Sequence, residues 1–287
     1  MKKIGFIGVG IMGKSMVRNL MKRDYELSIY ARNRAKVEDV IAEGAVFHPS
    51  IAQCVADCDA VITIVGMPSD VEQVYLGEDG ILAHAKAGAY VIDMTTSSPK
   101  LAAAIYERAK QKGLRALDAP VTGGDTGAKN GTLAILVGGD QPDFNACLPL
   151  FEAMGQNIRY QGPAGCGQHA KMANQIMIAG TISGLCEALT YARAKGLDLP
   201  TLLASVSTGA AASKQLDANA PKILAQDYDP GFFIKHFIKD MKLAQEEAGD
   251  SGLSLEVLAT ALANYEGLAQ QGYGDLGTQA LIKHYER

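Results

Sequence analysis

Six residues near the N-terminus, Gly8-Val9-Gly10-Ile11-Met12-Gly13, constrain the fold of this chain more than any other segment. They form a G-x-G-x-x-G pattern between an apolar run, residues 3–8, and a run of helical periodicity, residues 12–23. In a strand–turn–helix unit the first glycine permits a tight turn, the second lets a pyrophosphate approach the backbone, and the third allows close helix–strand packing. A glycine-rich turn without a ligand is the alternative. In this context we predict a dinucleotide site at the start of the helix, formed by Gly8, Gly10, Ile11, Met12 and Gly13.

Beyond this turn, segments of strand length alternate with helical segments up to about residue 163. This alternation favours a doubly wound, largely parallel sheet that is covered on both faces. From Gly167 to about Lys195 there is no proline, and the stretch predicts one long helix. After it the pattern is helical, with no convincing strand. The predicted strands are 3–8, 26–30, 60–65, 90–92, 114–117, 134–137 and 158–160.

The fold class is therefore predicted to be α/β, with an N-terminal Rossmann-type sheet domain and an all-α C-terminal domain joined by the long interdomain helix. At 287 residues the chain is long enough for two domains. We place a dinucleotide-binding domain at residues 1–163 and a helical domain at residues 164–287.

The end of the second strand distinguishes NADP from NAD. An NAD site usually places an acid there to bind the ribose 2′-hydroxyl, but residues 27–34 contain none. Arg32 and Arg34 lie there instead, and a guanidinium is well shaped to bind a 2′-phosphate. A solvated pair of surface arginines is the alternative. We expect NADP in preference to NAD, with Arg32 as the contact.

Two further motifs carry polar groups suited to a small substrate. The loop Asp118–Gly124 offers the Thr122 hydroxyl and the N–H groups of Gly123 and Gly124, which suit a carboxylate, although the pattern also fits a turn without a ligand. Lys171, Asn174 and Gln175 stand at i, i+3 and i+4 and share one helix face. A cation beside two amides can orient and protonate a carbonyl oxygen, because desolvation brings a lysine pKa towards neutrality. The alternative is an ordinary solvated helix face.

The three motifs, together with a fourth, Lys239-Asp240-Met241-Lys242-Leu243-Ala244, resemble in order and spacing the β-hydroxyacid dehydrogenase family. That family includes 3-hydroxyisobutyrate dehydrogenase, tartronate semialdehyde reductase and glyoxylate/succinic semialdehyde reductase, and the resemblance covers nearly the whole chain. It implies the two-domain fold described above, with an NADP-binding domain at residues 1–163 and a domain for substrate binding and oligomerisation at residues 164–287, and it implies a homodimer or homotetramer.

The resemblance also implies roles for individual residues. Lys171 matches the catalytic lysine that protonates the carbonyl oxygen, and Thr122, Gly123 and Gly124 match the substrate-carboxylate loop, where many members have Ser in place of Thr122. Asn174 and Gln175 match the substrate-orienting amides, although many members have Asn at the second position. Arg32 stands where NADP-preferring reductases of small aldehydes tend to carry Arg. The remaining matches are Lys239, which closes on cofactor and substrate, Thr96 near the nicotinamide ribose, and Met67 beside the cofactor.

Composition excludes several other classes. The net charge is −4 without clustered Lys and Arg, and no apolar run reaches the length of a membrane span, so we expect neither a nucleic-acid nor a membrane partner. Five cysteines without a C-x-x-C pair indicate reduced thiols, a cytoplasmic location and no metal site.

The leading hypothesis is hydride transfer between NADP(H) and a small 3-hydroxyacid, semialdehyde or 2-oxoacid-type carbonyl that carries a carboxylate. Two alternatives stay open. One is an imine reductase, although related folds of that kind usually lack a lysine at position 171. The other is a non-catalytic NADPH sensor, which has no need of a proton donor.

Overall fold

A computed structural model describes residues 1–286 of the chain. Two compact units are present, Met1–Lys171 and the residues from Met172 onward. The division lies within the long helix, eight residues after the domain boundary predicted at 163/164. That boundary stays a prediction.

The first unit contains a nine-stranded sheet. Its strands are β1 (Lys3–Ile7), β2 (Glu26–Tyr30), β3 (Val46–Phe47), β4 (Ala60–Thr63), β5 (Tyr90–Asp93), β6 (Arg115–Asp118), β7 (Val121–Thr122), β8 (Leu133–Gly139) and β9 (Gly155–Gly162). They lie in the order β3-β2-β1-β4-β5-β6-β8-β7, and β9 pairs with β8. The first six strands in this order are all parallel to their neighbours, whereas β8 runs antiparallel to both β6 and β7.

Alternation along the central strands produces two cores, one on each side of the sheet. Ile4 and Phe6 of β1 and Ile62 of β4 belong to one core, whereas Ile7 and Val61 belong to the other. Because successive side chains of a strand point to opposite faces, strands buried on both faces read as continuous apolar runs. This explains why the sequence predicted these strands, and the predicted fold class is confirmed.

Two short strands and the reversed direction of β8 were not predicted. Both β3 and β7 contain only two residues, too few to show a periodicity. As a result Thr122, which was predicted to lie in a loop, ends a short strand and pairs with Ala134 of β8.

Helices cover both faces of this sheet. Ser98 caps one of them as predicted, since its hydroxyl accepts a hydrogen bond from the Leu101 N–H and Pro99 begins the helix. The helices are α1 (Ile11–Met21), α2 (Glu38–Ala42), α3 (Ile51–Val55), α4 (Pro68–Leu76), α5 (Ile81–His84), α6 (Pro99–Gln111), α7 (Gly124–Asn130), α8 (Gln141–Met154) and α9 (Cys166–Ala194), with a 3-10 turn at Arg34–Val37.

The second unit is helical, as predicted. In the part of this unit that the structure describes, up to residue 286, β-type pairing is limited to one isolated bridge between Phe233 and Gly277. Phe237 and Tyr265 lie in its core with their rings in an edge-on contact. The helices after α9 are α10 (Leu199–Val206), α11 (Lys214–Leu224), α12 (Ile234–Asp250), α13 (Glu256–Leu268) and α14 (Ile282–Tyr285), with shorter turns at Ala269–Tyr273 and Thr278–Leu281. Over residues 1–286, no helix combines the length and apolar character needed to cross a membrane.

Candidate active site

The glycine turn between β1 and α1 has three different steric environments. Gly8 has φ +95°, and a Cβ there would overlap the carbonyl oxygen of Ile64. A Cβ on Gly13 would overlap the Gly8 carbonyl oxygen. A Cβ on Gly10, in contrast, would meet no atom within 4 Å. Gly8 and Gly13 therefore let the turn form, whereas the space at Gly10 lies open beside the start of α1, whose first turn contains no acid.

Arg32, just after β2, lies beside the loop that follows β4. Its guanidinium is 3.4 Å from one carboxylate oxygen of Asp70, and the other oxygen accepts a hydrogen bond from the Met67 N–H at 3.0 Å. The Arg32 side chain is 85% exposed, so this ion pair contributes little to stability. Arg32 and Met67, both predicted to contact the cofactor, are thus joined by a carboxylate that sequence reasoning missed.

The Thr122–Gly124 segment leads directly from β7 into α7. Gly123 and Gly124 both have positive φ, +132° and +64°, which glycine adopts without strain. Helix α7 is tied to α1 by the buried Asn19, whose amide donates to the Ala128 carbonyl at 2.7 Å. The segment predicted to bind a carboxylate is therefore fixed against the helix of the glycine turn.

Polar side chains occupy the last positions of three neighbouring parallel strands. Thr63, Asp93 and Asp118 are paired in register across β4, β5 and β6, and all three are buried. Thr63 donates to the Asp93 carboxylate at 2.8 Å, and the same carboxylate accepts from the Thr95 N–H. The loop after β5, which carries Thr96, therefore starts from a fixed point at the carboxyl edge of the sheet. This is the edge where open α/β sheets bind ligands.

Asp118 joins this edge to the start of α9. Its two carboxylate oxygens accept hydrogen bonds from the Gly165 and Gln168 N–H groups, both at 2.8 Å. Burial raises the pKa of Asp118 to about 6, although these hydrogen bonds act in the opposite direction. A small cavity of about 10 Å³, room for roughly one water molecule, lies between Asp93, Asp118 and Tyr75.

Lys171 lies one turn further along α9 and is 6% exposed. His169 is exposed, in agreement with the helical spacing that directs it away from the lysine face. Burial of Lys171 excludes the solvated helix face that the spacing alone left open.

Four predicted or neighbouring polar residues form a connected group in the second unit. Gln175 is 2% exposed, and its amide donates to Asp240 at 2.7 Å and accepts from Asn174 at 2.7 Å. The Lys239 ammonium lies 2.9 Å from the other Asp240 oxygen; the Asp240 side chain is buried, and that of Lys239 is 9% exposed. Asp240 therefore joins the two amides that were predicted to orient the substrate to Lys239.

Most of the residues that sequence reasoning missed act on groups that are distant in the chain. Asp240 contacts Gln175 across 65 residues, and Gln168 contacts Ser97 across 71. Asp118 and Asp240 belong to sequence motifs that were recognised, but the motifs do not show which groups the two carboxylates bind. Asp70 had a local signal, an acid at the third position of a helix that begins with Pro68.

Comparison with known proteins agrees with this geometry. Residues 3–162 match the family model described as the NAD binding domain of 6-phosphogluconate dehydrogenase. Residues 165–285 match that of NAD-binding of NADP-dependent 3-hydroxyisobutyrate dehydrogenase. The chain is 50% identical to an uncharacterized oxidoreductase of Bacillus subtilis over 98% of each chain, and 38% identical to the NAD-dependent L-serine dehydrogenase of Pseudomonas aeruginosa over 100% of this chain and 98% of that one. The solved structure of Mycobacterium tuberculosis 3-hydroxyisobutyrate dehydrogenase with L-serine superposes with a TM-score of 0.91, 28% identity and full coverage of both chains.

A sheet unit with a glycine-rich turn and the buried Lys171, followed by a helical unit with the buried Gln175 and Asp240, is typical of an NAD(P)-binding oxidoreductase of the 6-phosphogluconate dehydrogenase-like class. Within that class, the chain belongs to the β-hydroxyacid dehydrogenase family, whose members act on CH–OH groups with NAD(P). The resemblance seen in the sequence and the predicted enzyme class are both confirmed.

Proposed function

We propose that the protein transfers a hydride between NADP(H) and a short 3-hydroxyacid or the corresponding semialdehyde, with Lys171 as the proton donor and acceptor. The observation that carries the proposal is the burial of Lys171 on the helix face that also carries Asn174 and Gln175. A buried cation beside amides suits a carbonyl oxygen that gains negative charge during reduction.

The glycine turn fits a dinucleotide. Room at Gly10, the N–H groups at the start of α1 and the lack of acids in its first turn all suit a pyrophosphate. When bound, the nicotinamide supplies or accepts the hydride. Thr96 and Met67 are the further residues proposed to contact the cofactor.

The remaining steps belong to side chains of the protein. Thr122, Gly123 and Gly124 bind the substrate carboxylate through one hydroxyl and backbone N–H groups. As the carbonyl carbon is reduced, the carbonyl π electrons move to oxygen, and this oxygen takes a proton from the Lys171 ammonium. Asn174 orients the substrate. Gln175, whose amide is hydrogen-bonded to Asp240 and Asn174, holds Asn174 in place. Lys239, which pairs with Asp240, is the last residue proposed to contact substrate and cofactor.

For the cofactor we propose NADP in preference to NAD, although a relative at 38% identity is named as NAD-dependent. The support is local: β2 ends without an acid, and the exposed Arg32 guanidinium pairs with Asp70 only at 3.4 Å. For the substrate, the names of the relatives favour short 3-hydroxyacids such as 3-hydroxyisobutyrate and L-serine. The proposed class of substrates also includes tartronate semialdehyde, glyoxylate and succinic semialdehyde.

A panel of these hydroxyacids and carbonyl acids, assayed with both cofactors, tests the proposal. We expect Lys171→Met to lower kcat by about a thousandfold, within the range of general acid catalysis, while NADPH affinity stays within threefold. Lys195→Met, which changes an exposed lysine just after the same helix, is the matched control. A Lys171→Met enzyme with wild-type kcat contradicts the proposed mechanism. Turnover of cyclic imines but of no carbonyl acid indicates an imine reductase, and tight NADPH binding without any turnover indicates a sensor.

A further inference from the structure

The side chain of Gln168 bridges two segments to which the proposed function gives different tasks. Its amide nitrogen donates to the Thr95 carbonyl at 2.7 Å, and its amide oxygen accepts from the Ser97 N–H at 2.9 Å. Gln168 has no exposed surface, and both bonds are buried. One primary amide therefore pairs with the two backbone groups that flank Thr96. The orientation of the amide is unambiguous, since a carbonyl needs a donor and an N–H needs an acceptor.

Thr96 is less buried than the residue on either side of it. Thr95 and Ser97 are 2% and 1% exposed, whereas Thr96 between them is only half-buried. The loop therefore presents Thr96, and Gln168 fixes the backbone on either side of it. An unpaired Thr95 carbonyl or Ser97 N–H at this depth would cost the full desolvation of that group, so the pairing is strongly favoured.

The backbone of Gln168 is fixed as well. Its N–H donates to Asp118 at 2.8 Å, and Asp118 also accepts from the Gly165 N–H. The start of α9 is pressed against the sheet, since a Cβ on Gly167 would come within 2.5 Å of the carbonyl oxygens of Asp118 and Leu136. Gln168 is thus held by its N–H to strand β6 and by its side chain to the loop after β5.

Lys171 follows Gln168 by three residues, so the two lie about one turn apart on α9. We propose that Gln168 is a positioning residue, which holds the Thr96 loop and the Lys171 helix in one fixed register. The inference rests on the proposed function, because its consequence is a constant distance between the cofactor loop and the proton donor. Displacements near 1 Å at such a position lower rates by about a hundredfold.

Two substitutions distinguish a positioning role of Gln168 from a role in stability alone. Gln168→Met keeps the length of the side chain but removes both hydrogen bonds. Gln168→Glu keeps the acceptor for Ser97 but contacts the Thr95 carbonyl favourably only when it is protonated. Three titratable groups lie on the elements that Gln168 connects: Asp118 accepts from the Gln168 N–H, Asp93 accepts from the Thr95 N–H, and Lys171 follows three residues later on α9. Gln111→Met, on the exposed last turn of α6, is the control.

We expect Gln168→Met to lower kcat by about tenfold to a hundredfold, with a smaller change in the NADPH dissociation constant. In the protein without substrate, amide hydrogen exchange of residues 94–98 should accelerate in this variant and not in Gln111→Met. Gln168→Glu should show an added ionisation in its kcat profile, with activity recovered at low pH. The wild-type profile should lack this ionisation.

Wild-type kcat in Gln168→Met together with unchanged exchange at residues 94–98 overturns the proposal, as does a Gln168→Glu profile that coincides with the wild-type one. If Gln168→Met does not fold, the Gln168→Glu profile decides. Failure of the proposed function is recognised separately, because then Lys171→Met retains turnover or no carbonyl acid is reduced, whereas the hydrogen-exchange measurement still reports on the loop.

Discussion

The glycine turn and the strand ends beside α9 are both parts of the first unit, but they are built differently. At the turn, backbone sterics decide the structure: Gly8 and Gly13 have no space for a Cβ, and Gly10 has open space. At the strand ends, buried side chains decide it, with Asp118 and Gln168 bonded to backbone groups of other segments. The sequence signal of the first region lies within six residues, although Gly8 packs against the Ile64 carbonyl, whereas the second region depends on hydrogen bonds across 47 to 73 residues. A mutation in the turn should therefore act through backbone sterics, and one at the strand ends through hydrogen bonds between segments.

The largest expected effect separates two glycines of the same turn. Gly8→Ala forces an alanine into φ +95° and into the Ile64 carbonyl, and we expect the free energy of unfolding to fall by ~3 kcal/mol or more. Gly10→Ala places its Cβ in open space at φ −88°, so stability should change by less than ~1 kcal/mol. Urea denaturation measures both.

NADPH titration completes this comparison. Gly10→Ala should lower NADPH affinity by at least about tenfold, because its methyl group occupies the space that a pyrophosphate approaches. A stable Gly10→Ala protein with wild-type affinity shows that the phosphates do not lie against Gly10. A Gly8→Ala protein as stable as wild type contradicts the steric account of the turn.

The second prediction concerns the strand ends and depends on pH. In the folded protein the pKa of Asp118 is raised from 3.8 to about 6, so between these values the folded state binds more protons than the unfolded one. The free energy of unfolding therefore falls as pH rises through this window, and the full cost, about 3 kcal/mol for roughly two pKa units, applies above pH 6. Asp118→Asn lacks this titration, although it loses a hydrogen-bond acceptor at every pH.

Urea denaturation of both proteins from pH 4 to pH 7 measures the difference. The stability of wild type relative to Asp118→Asn should fall by about 2–3 kcal/mol across this range. Asp57→Asn, the same change at an exposed position, is the matched control. If the difference in stability between wild type and Asp118→Asn does not change with pH, the Asp118 carboxyl group is not desolvated. The two regions then do not differ in their electrostatics.

The same contrast explains what could be predicted from the sequence. Gly8, Gly10 and Gly13 stand at a fixed spacing within six residues, and the shared face of Lys171 and Gln175 follows from helical spacing, so both patterns were visible. The central strands were visible because burial on both faces makes them apolar throughout. The bonds from Gln168 to Thr95 and from Gln175 to Asp240 were not, because no local rule pairs an amide with a partner more than 60 residues away.

The smallest expected effect lies at the exposed edge of the nucleotide-binding region. Because Arg32 is 85% exposed, a contact with a 2′-phosphate is partly screened, and we expect about 1–2 kcal/mol from it. Arg32→Ala should therefore weaken NADPH binding about tenfold, with NADH binding nearly unchanged. Asp70→Asn should strengthen NADPH binding slightly, because it removes the carboxylate that competes for the guanidinium.

Arg34→Ala is the matched control, since Arg34 is also exposed but pairs with Glu38 at 3.0 Å. Equal losses in the two arginine variants mean that the site attracts the phosphate by general positive charge and not through a specific guanidinium. An Arg32→Ala protein that still prefers NADPH assigns the preference to another group. A wild-type protein that binds NADH more tightly than NADPH places this chain with its NAD-dependent relative and leaves Arg32 as a surface partner of Asp70.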